Sequence, residues 1–255
     1  MFSYGDYSMR IQLLILFSCA LSAHADPWKI SSPARPISLV ELYSSEGCSS
    51  CPPADKWVSS LRKNPSLWKK FAVMEFHVDY WNRLGWTDRF SKQQFTERQR
   101  ELADVWGKES VYTPGFVLNG GEWKNPSVEE LIKARGDEKK SSGILTVVKG
   151  ARPDDFAVEF KSPDLHSLTL HAALLGNGFK SDVKSGENSG SILIHDFVVT
   201  RLVSLPIDFE KKKKGYFASV TLASPGNVQP QSWSVVFWIT PIHSEVPLQV
   251  VGGDL

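Results

Sequence analysis

Apolar positions recur with two different rhythms in the two halves of the chain. In the first half, short apolar runs alternate with segments of helical spacing. Ile37 to Tyr43 is an apolar run of strand length. Ala54 to Leu61 predicts a short helix with Trp57, Val58 and Leu61 on one face. Phe71 to Val78 predicts a second strand. From Phe90 to Trp106 the spacing is helical, with Phe95, Leu102 and Val105/Trp106 recurring. Phe116 to Leu118 predicts a third strand, stopped by Asn119-Gly120-Gly121, and Pro126 to Glu130 opens a last helix that ends near Gly136. Strands alternating with helices predict an α/β layer structure over residues 26–136.

The rhythm changes after Gly136. Residues 137–143 are charged, Ser/Gly-containing and read as a linker. Beyond them come strand-like runs: Ile144–Val148, Phe156–Phe160, Leu168–Leu175, Ile192–Leu202, Tyr216–Leu222 and Trp233–Ile239. Turn residues such as Gly176-Asn177-Gly178 and Ser185-Gly186-Glu187-Asn188 separate them. This pattern predicts an antiparallel β-sandwich-like domain over 144–255.

The N-terminus reads as an export signal over residues 1–25. Met9-Arg10 precedes an apolar run from Ile11 to Leu21, and Ala23-His24-Ala25 gives the small-x-small pattern of a cleavage site. The apolar run is too short to span a bilayer. An N-terminal anchor, a buried helix and lipidation at Cys19 are the alternatives. Export implies an oxidising compartment outside the cytoplasm, where disulfides persist. The remaining chain, about 230 residues, is long enough for one large domain or two smaller ones. Net charge is +1 and the basic run Lys211–Lys214 stands alone, which argues against nucleic acid as a partner. No later segment has the length and apolarity of a membrane helix.

Cys48 and Cys51 are then the only thiols of the mature chain, since the third cysteine is Cys19. They sit where the first strand runs into the first helix. Attack on a disulfide requires a thiolate, and a free thiol near pKa ~8.5 is mostly protonated at neutral pH. A helix N-terminus favours the anion. The spacing suits Cys48 as a nucleophile and Cys51 as a resolving thiol that releases a captured partner. A metal site and a passive disulfide are the alternatives; a bridge this short stabilises by only roughly 2 kcal/mol.

The strand–C-x-x-C–helix order is that of a thioredoxin-type domain, which also requires a cis proline before a later strand. Tyr112-Thr113-Pro114-Gly115-Phe116 meets that requirement. Pro114 would shape the groove, and the backbone of Thr113 could pair with an extended substrate. Leu39 to Asp55, His77 to Asn82, Gly85 to Asp88, Val111 to Pro114, Asn119-Gly120 and Gly186-Glu187-Asn188 together resemble the secreted thioredoxin-like family catalogued as domain of unknown function 1223. The resemblance implies a thioredoxin-like fold and an extracytoplasmic, bacterial setting. It supplies no reaction. Gly47 stands where thioredoxins carry tryptophan, and Pro52-Pro53 removes two backbone donors after the pair. If the helix starts near Pro52, Cys48 loses part of the dipole's help.

Glu41 interrupts the first apolar strand. Buried, it could take the proton of Cys51; at a strand end it would merely touch solvent. Tyr80, Trp81 and Trp86 are candidates for a substrate groove or for core. His77 could join Cys48 and Cys51 in a copper site, or be a hydrogen-bonded structural histidine. His166, His171 and His195 read as structural. Elbow, P-loop and H-E-x-x-H signatures are absent. The residues predict an exported thiol–disulfide oxidoreductase acting on thiol- or disulfide-bearing exported proteins. Its catalytic residues would be Cys48, Cys51, Pro114 and Glu41, and it would need no cofactor beyond the cysteine pair. The alternatives are a binding or assembly module with a structural disulfide, and a copper-handling protein.

Overall fold

The computed structural model describes Met1, residues 28–135 and residues 143–255. The expected export signal over 1–25, with Cys19, and linker residues 137–142 lie outside the described residues. In chain order the elements are β1 (Lys29–Ser31), β2 (Ser38–Ser44), α1 (Pro52–Ser60), β3 (Phe71–His77), α2 (Gln93–Val105), β4 (Gly115–Leu118), β5 (Gly121–Glu122) and α3 (Val128–Lys133). There follow β6 (Ile144–Lys149), β7 (Asp155–Lys161), β8 (Leu168–Asn177), β9 (Phe179–Asp182), β10 (Ile192–His195), β11 (Val198–Ile207), β12 (Phe209–Glu210), β13 (Gly215–Thr221), β14 (Ser232–Pro241) and β15 (Gln249–Asp254).

The fold is not the expected α/β thioredoxin-like domain followed by an antiparallel sandwich. Strand accounts for 41% and helix for 15%, so the fold is mainly β. One eight-stranded sheet runs β15-β14-β8-β11-β3-β2-β4-β5, drawing strands from both halves of the sequence. β2 and β3 are parallel, and β11 joins the free edge of β3, also parallel, at Val198 opposite Glu75. A five-stranded antiparallel sheet, β1-β6-β7-β13-β12, covers part of one face, and β9 and β10 form a separate hairpin.

The physical reason lies in β8 and β14. A strand of a two-layer sandwich buries one face and wets the other. In β8, Leu168, Leu170, Ala172 and Leu174 enter the core beneath the five-stranded sheet, whereas Ala173 and Leu175 enter the core shared with β2, β3 and α1. In β14, Val235, Phe237 and Ile239 face one core and Val236 and Trp238 the other. Strands apolar on both faces need cover on both, and fusion into one sheet supplies it.

The apolar run Ile192–Leu202 is also divided. β10 ends at His195 and β11 starts at Val198, with Phe197 between them at φ 60°, in the left-handed region that non-glycine residues seldom adopt. The break turns the β9–β10 hairpin back over the start of α1, and it delivers His195 to the interior. No described helix is long and apolar enough to cross a membrane.

Candidate functional site

The cysteines lie in a tight loop between β2 and α1. Cys48 N donates to Ser45 O at 3.1 Å, and Cys51 N to Cys48 O at 3.2 Å. α1 begins at Pro52, where a missing N–H costs nothing because first-turn donors are unpaired in any case. Cys51 is therefore the N-cap residue, and its carbonyl accepts from Ala54 N and Asp55 N. Cys48 stands ahead of the helix rather than on it, so the helix dipole acts first on Cys51. The two sulfurs are joined as a disulfide.

Both cysteines are fully buried, at 0% exposure, while Ser49 and Ser50 between them are exposed. The cover is the turn linking β9 to β10. Glu187 Oε2 accepts from Ser49 N at 3.0 Å and Ser49 Oγ at 2.7 Å. Asn188 Nδ2 donates to Glu46 O at 2.8 Å and Cys48 O at 2.9 Å. Gly186 holds φ +77°, and a Cβ there would come within 3.2 Å of Trp86 Cβ, so a bare backbone lets the turn pack close against residue 86. The Gly-Glu-Asn segment is thus a polar clamp on the cysteine loop.

The Thr113–Pro114 peptide bond is cis, the conformation the element order predicts. This loop is tied to the cysteine loop through Trp81. Trp81 Nε1 donates to Thr113 Oγ1 at 2.8 Å, and its Cβ lies 3.2 Å from where a side chain on Gly47 would begin. A bulkier residue at 47 would push Trp81 away. Tyr80 donates to Gln99 Oε1 at 3.2 Å, and Gln99 Nε2 to Tyr112 O at 2.7 Å. Tyr80, Trp81 and Trp86 are all half-buried. Trp86 is committed to Glu46, donating to Oε2 at 2.7 Å.

Glu41 is engaged elsewhere. Arg98 of α2 holds its carboxylate from two nitrogens, at 2.8 and 2.9 Å, and Tyr43 donates to it at 2.9 Å. Along β2, Glu41 and Tyr43 share the face toward α2, whereas Ser44 faces α1 and donates to Asp55 Oδ1 at 2.6 Å. Asp55, one turn after Cys51, lies beside the cysteine loop, and Glu41 does not.

His77 is drawn into a buried cluster of ionisable groups rather than toward Cys48 and Cys51. His77 Nδ1 donates to Asp88 Oδ2 at 2.6 Å, and Asp88 also accepts from Glu46 N and Phe90 N. His77 Nε2 faces Glu75 Oε1 at 3.1 Å. His195 lies edge-on to His77, with ring centres 4.9 Å apart. Its Nδ1 is 3.6 Å from Glu75 Oε1 and 3.7 Å from Asp55 Oδ2, and its Nε2 is 3.5 Å from Glu46 Oε1. All six groups are buried. Burial pulls both imidazoles down, but their carboxylate neighbours outweigh it: Asp88 and Glu75 hold His77 well above its usual pKa, and Glu46 and Glu75 hold His195 at about 9. Burial pushes Glu46 and Glu75 up, yet contacts to His195 and others leave each at about 2. Asp55 goes the other way, to about 8, through burial and the charge of Glu75.

Sequence reading singled out Cys48, Cys51 and Pro114 but treated His195 as structural and passed over Glu46, Glu75, Asp55 and Asp88. One signal was available. Glu75 and His77 stand two apart in the apolar run Phe71–Val78, so two ionisable groups share one face of a buried strand.

The sequence profile of a family described as a protein of unknown function (DUF1223) matches residues 39–240. A search of the curated proteins finds no match. Among solved structures, a structural-genomics protein from Agrobacterium tumefaciens is 23% identical with a TM-score of 0.61, covering 86% of this chain and 93% of that one. HBP35 of Porphyromonas gingivalis is 13% identical with a TM-score of 0.62, covering 88% of this chain and 76% of that one. At these identities the two neighbours speak to the fold alone.

Proposed function

Since the chain belongs to the DUF1223 family, whose description assigns no reaction, we propose a function from the site itself: reversible thiol–disulfide exchange with exported proteins through Cys48 and Cys51. The observation that carries this reading is a C-x-x-C disulfide at the start of α1 whose cover is pinned at its tip by hydrogen bonds that Glu187 accepts and Asn188 donates. Such a clamp opens at a cost of a few net hydrogen bonds, each about 1 kcal/mol.

With the clamp open, a partner thiolate attacks Cys48 Sγ. The Cys48–Cys51 bond breaks and Cys51 leaves with the electron pair, taking a proton from solvent. At the N-cap its thiolate faces the positive end of α1, which makes it a good leaving group. The partner's second thiolate then attacks its own sulfur in the mixed disulfide, and Cys48 leaves as thiolate. Two partner thiols become one disulfide and two electrons enter the chain; a reduced chain runs the same steps backward. The Thr113–Pro114 loop, linked through Trp81 to Gly47, supports an extended partner segment beside the pair. Glu41, held by Arg98, takes no part. The export signal read at the N-terminus puts this exchange outside the cytoplasm.

A second reading is favoured by the complete burial of both sulfurs: the bridge is a passive link in a scaffold. Thiol trapping separates the two. The Cys51→Ala variant should accumulate mixed disulfides on Cys48 with exported proteins, and these adducts should vanish when Cys48 is also replaced. If no adduct forms, and the wild-type bridge is reduced only in denaturant, the passive link stands.

A further inference from the structure

We propose that Glu75, His77 and His195 form a buried binding site for one divalent transition-metal ion, of which zinc is the test case. The site is separate from the disulfide and does not depend on whether that pair turns over.

The first argument is the set of polar atoms without hydrogen-bond partners. Both carboxylate oxygens of Glu75, Nε2 of His77 and both ring nitrogens of His195 are buried and make no hydrogen bond. A buried polar group left in this state costs about 1–3 kcal/mol, and here several converge on one point. His77 Nε2 and Glu75 Oε1 are only 3.1 Å apart yet do not align as donor and acceptor. A metal ion displacing the Nε2 proton would take both atoms as ligands.

The second argument is distance. Ligands 2.0–2.2 Å from a tetrahedral zinc lie about 3.3–3.6 Å from one another. The observed edges are 3.1 Å from His77 Nε2 to Glu75 Oε1 and 3.6 Å from Glu75 Oε1 to His195 Nδ1. The second is too long for a good hydrogen bond, and both are close to the edges of a coordination polyhedron. One ligand atom from each of Glu75, His77 and His195 falls within 4.8 Å of the others.

The third argument is the outer layer. A metal-bound histidine usually donates its other N–H to a carboxylate or carbonyl, which fixes the tautomer. His77 Nδ1 is held by Asp88, itself fixed by Glu46 N and Phe90 N, so Nε2 is the nitrogen left for a metal ion. His195 Nε2 faces Glu46 Oε1, whose partner oxygen is fixed by Trp86, leaving Nδ1 directed inward. Both histidines thus have a carboxylate on the remote nitrogen and Glu75 on the near one. Charge agrees: the buried carboxylates of Glu75, Glu46 and Asp88 around the two imidazoles favour a cation at this point, and nitrogen and oxygen donors suit zinc and its first-row neighbours. The ion would tie β3 to the β9–β10 hairpin.

The test uses the full chain, purified, stripped with a chelator under native conditions and shown folded by near-UV circular dichroism. Zinc is titrated calorimetrically, and cobalt is titrated while its visible absorption is read. The expected result is one ion per chain, tighter than micromolar, cobalt bands of a four-coordinate nitrogen/oxygen site, and a higher melting temperature with zinc. His195→Gln should weaken binding at least a hundredfold. If stripping unfolds the chain, recovery with zinc but not magnesium supports the site equally. A folded wild-type chain that takes up neither ion overturns the proposal, as does undiminished uptake by folded His195→Gln. Should that variant not fold, the wild-type titration decides alone.

Discussion

At the residue scale, the reactivity of the bridge is set by the side chains that cover it. Asn188 makes two hydrogen bonds to the backbone of the cysteine loop. Asn188→Ala removes both, which should lower the cost of opening by about 1–2 kcal/mol. We expect the native bridge to be reduced by dithiothreitol at least ~10-fold faster, measured by alkylation of freed thiols, with a loss of unfolding free energy of the same size, about 1–2 kcal/mol. An unchanged rate would mean that the turn does not guard the sulfurs. Glu41 behaves differently. Its carboxylate is locked with Arg98 in the interior, and breaking one half of such a pair costs about 3–5 kcal/mol. Arg98→Ala should therefore show that loss in urea denaturation. Glu41→Gln should leave the pH profile of Cys48 alkylation, measured on reduced protein, where it was. A profile displaced by Glu41→Gln would restore Glu41 as proton acceptor.

At the element scale, the centre of the large sheet carries a pH dependence away from the proposed metal site. His171 of β8 is stacked on Trp238 of β14 at 4.8 Å and hydrogen-bonds Ser204 and Thr240. Burial pushes its pKa down to about 3, and the Arg98 charge adds to this. An unfolded-state imidazole titrates near 6.5. Between those values the unfolded chain binds a proton that the folded one refuses. The contribution is thus whole above pH 6.5 and is lost as pH falls toward 3, on the order of a few kcal/mol across the window. His171→Gln should flatten that slope in denaturation curves recorded from pH 7 to 4. An unaltered slope would assign the acid sensitivity elsewhere.

Much of this element layout was legible. The apolar runs Ile37–Tyr43 and Phe71–Val78 became β2 and β3, and Pro126-Ser127 opened α3, where Ser127 accepts from Glu130 N as an N-cap. The start of α1 at Pro52 was also readable from Pro52-Pro53. What escaped was the break in Ile192–Leu202. Its apolarity continues through Asp196-Phe197, and the positive φ of Phe197 is imposed by tertiary contacts rather than by a glycine. The surroundings of His195 escaped for the same reason: a histidine in an apolar run does not say what the fold will bring to meet it.

At the scale of the whole molecule, the two halves of the sequence share one sheet and one core. β11 lies on the edge of β3, and Ala173, Leu175, Val236 and Trp238 pack in the same cluster as Leu39, Val58 and Phe76. Pairing between strands far apart in sequence has no local signature, so the change of rhythm near Gly136 suggested separate units; apolarity on both faces of β8 and β14 was the overlooked clue. The prediction at this scale is a single cooperative transition for the full chain in urea, by circular dichroism and tryptophan fluorescence alike. A fragment of residues 26–136 should show no cooperative transition, because the β3 edge and the core face left by β11 and β8 would be bare. Two separate transitions, or a folded fragment, would argue against the shared sheet as the unit of stability.

The most direct trial of the account is the reduction potential of Cys48–Cys51 in the folded chain, read by alkylation across glutathione buffers. Exchange beneath a polar clamp predicts a potential above about −300 mV, reached while near-UV circular dichroism stays native. A bridge that yields only to stronger reductant, or only as the fold is lost, would contradict it.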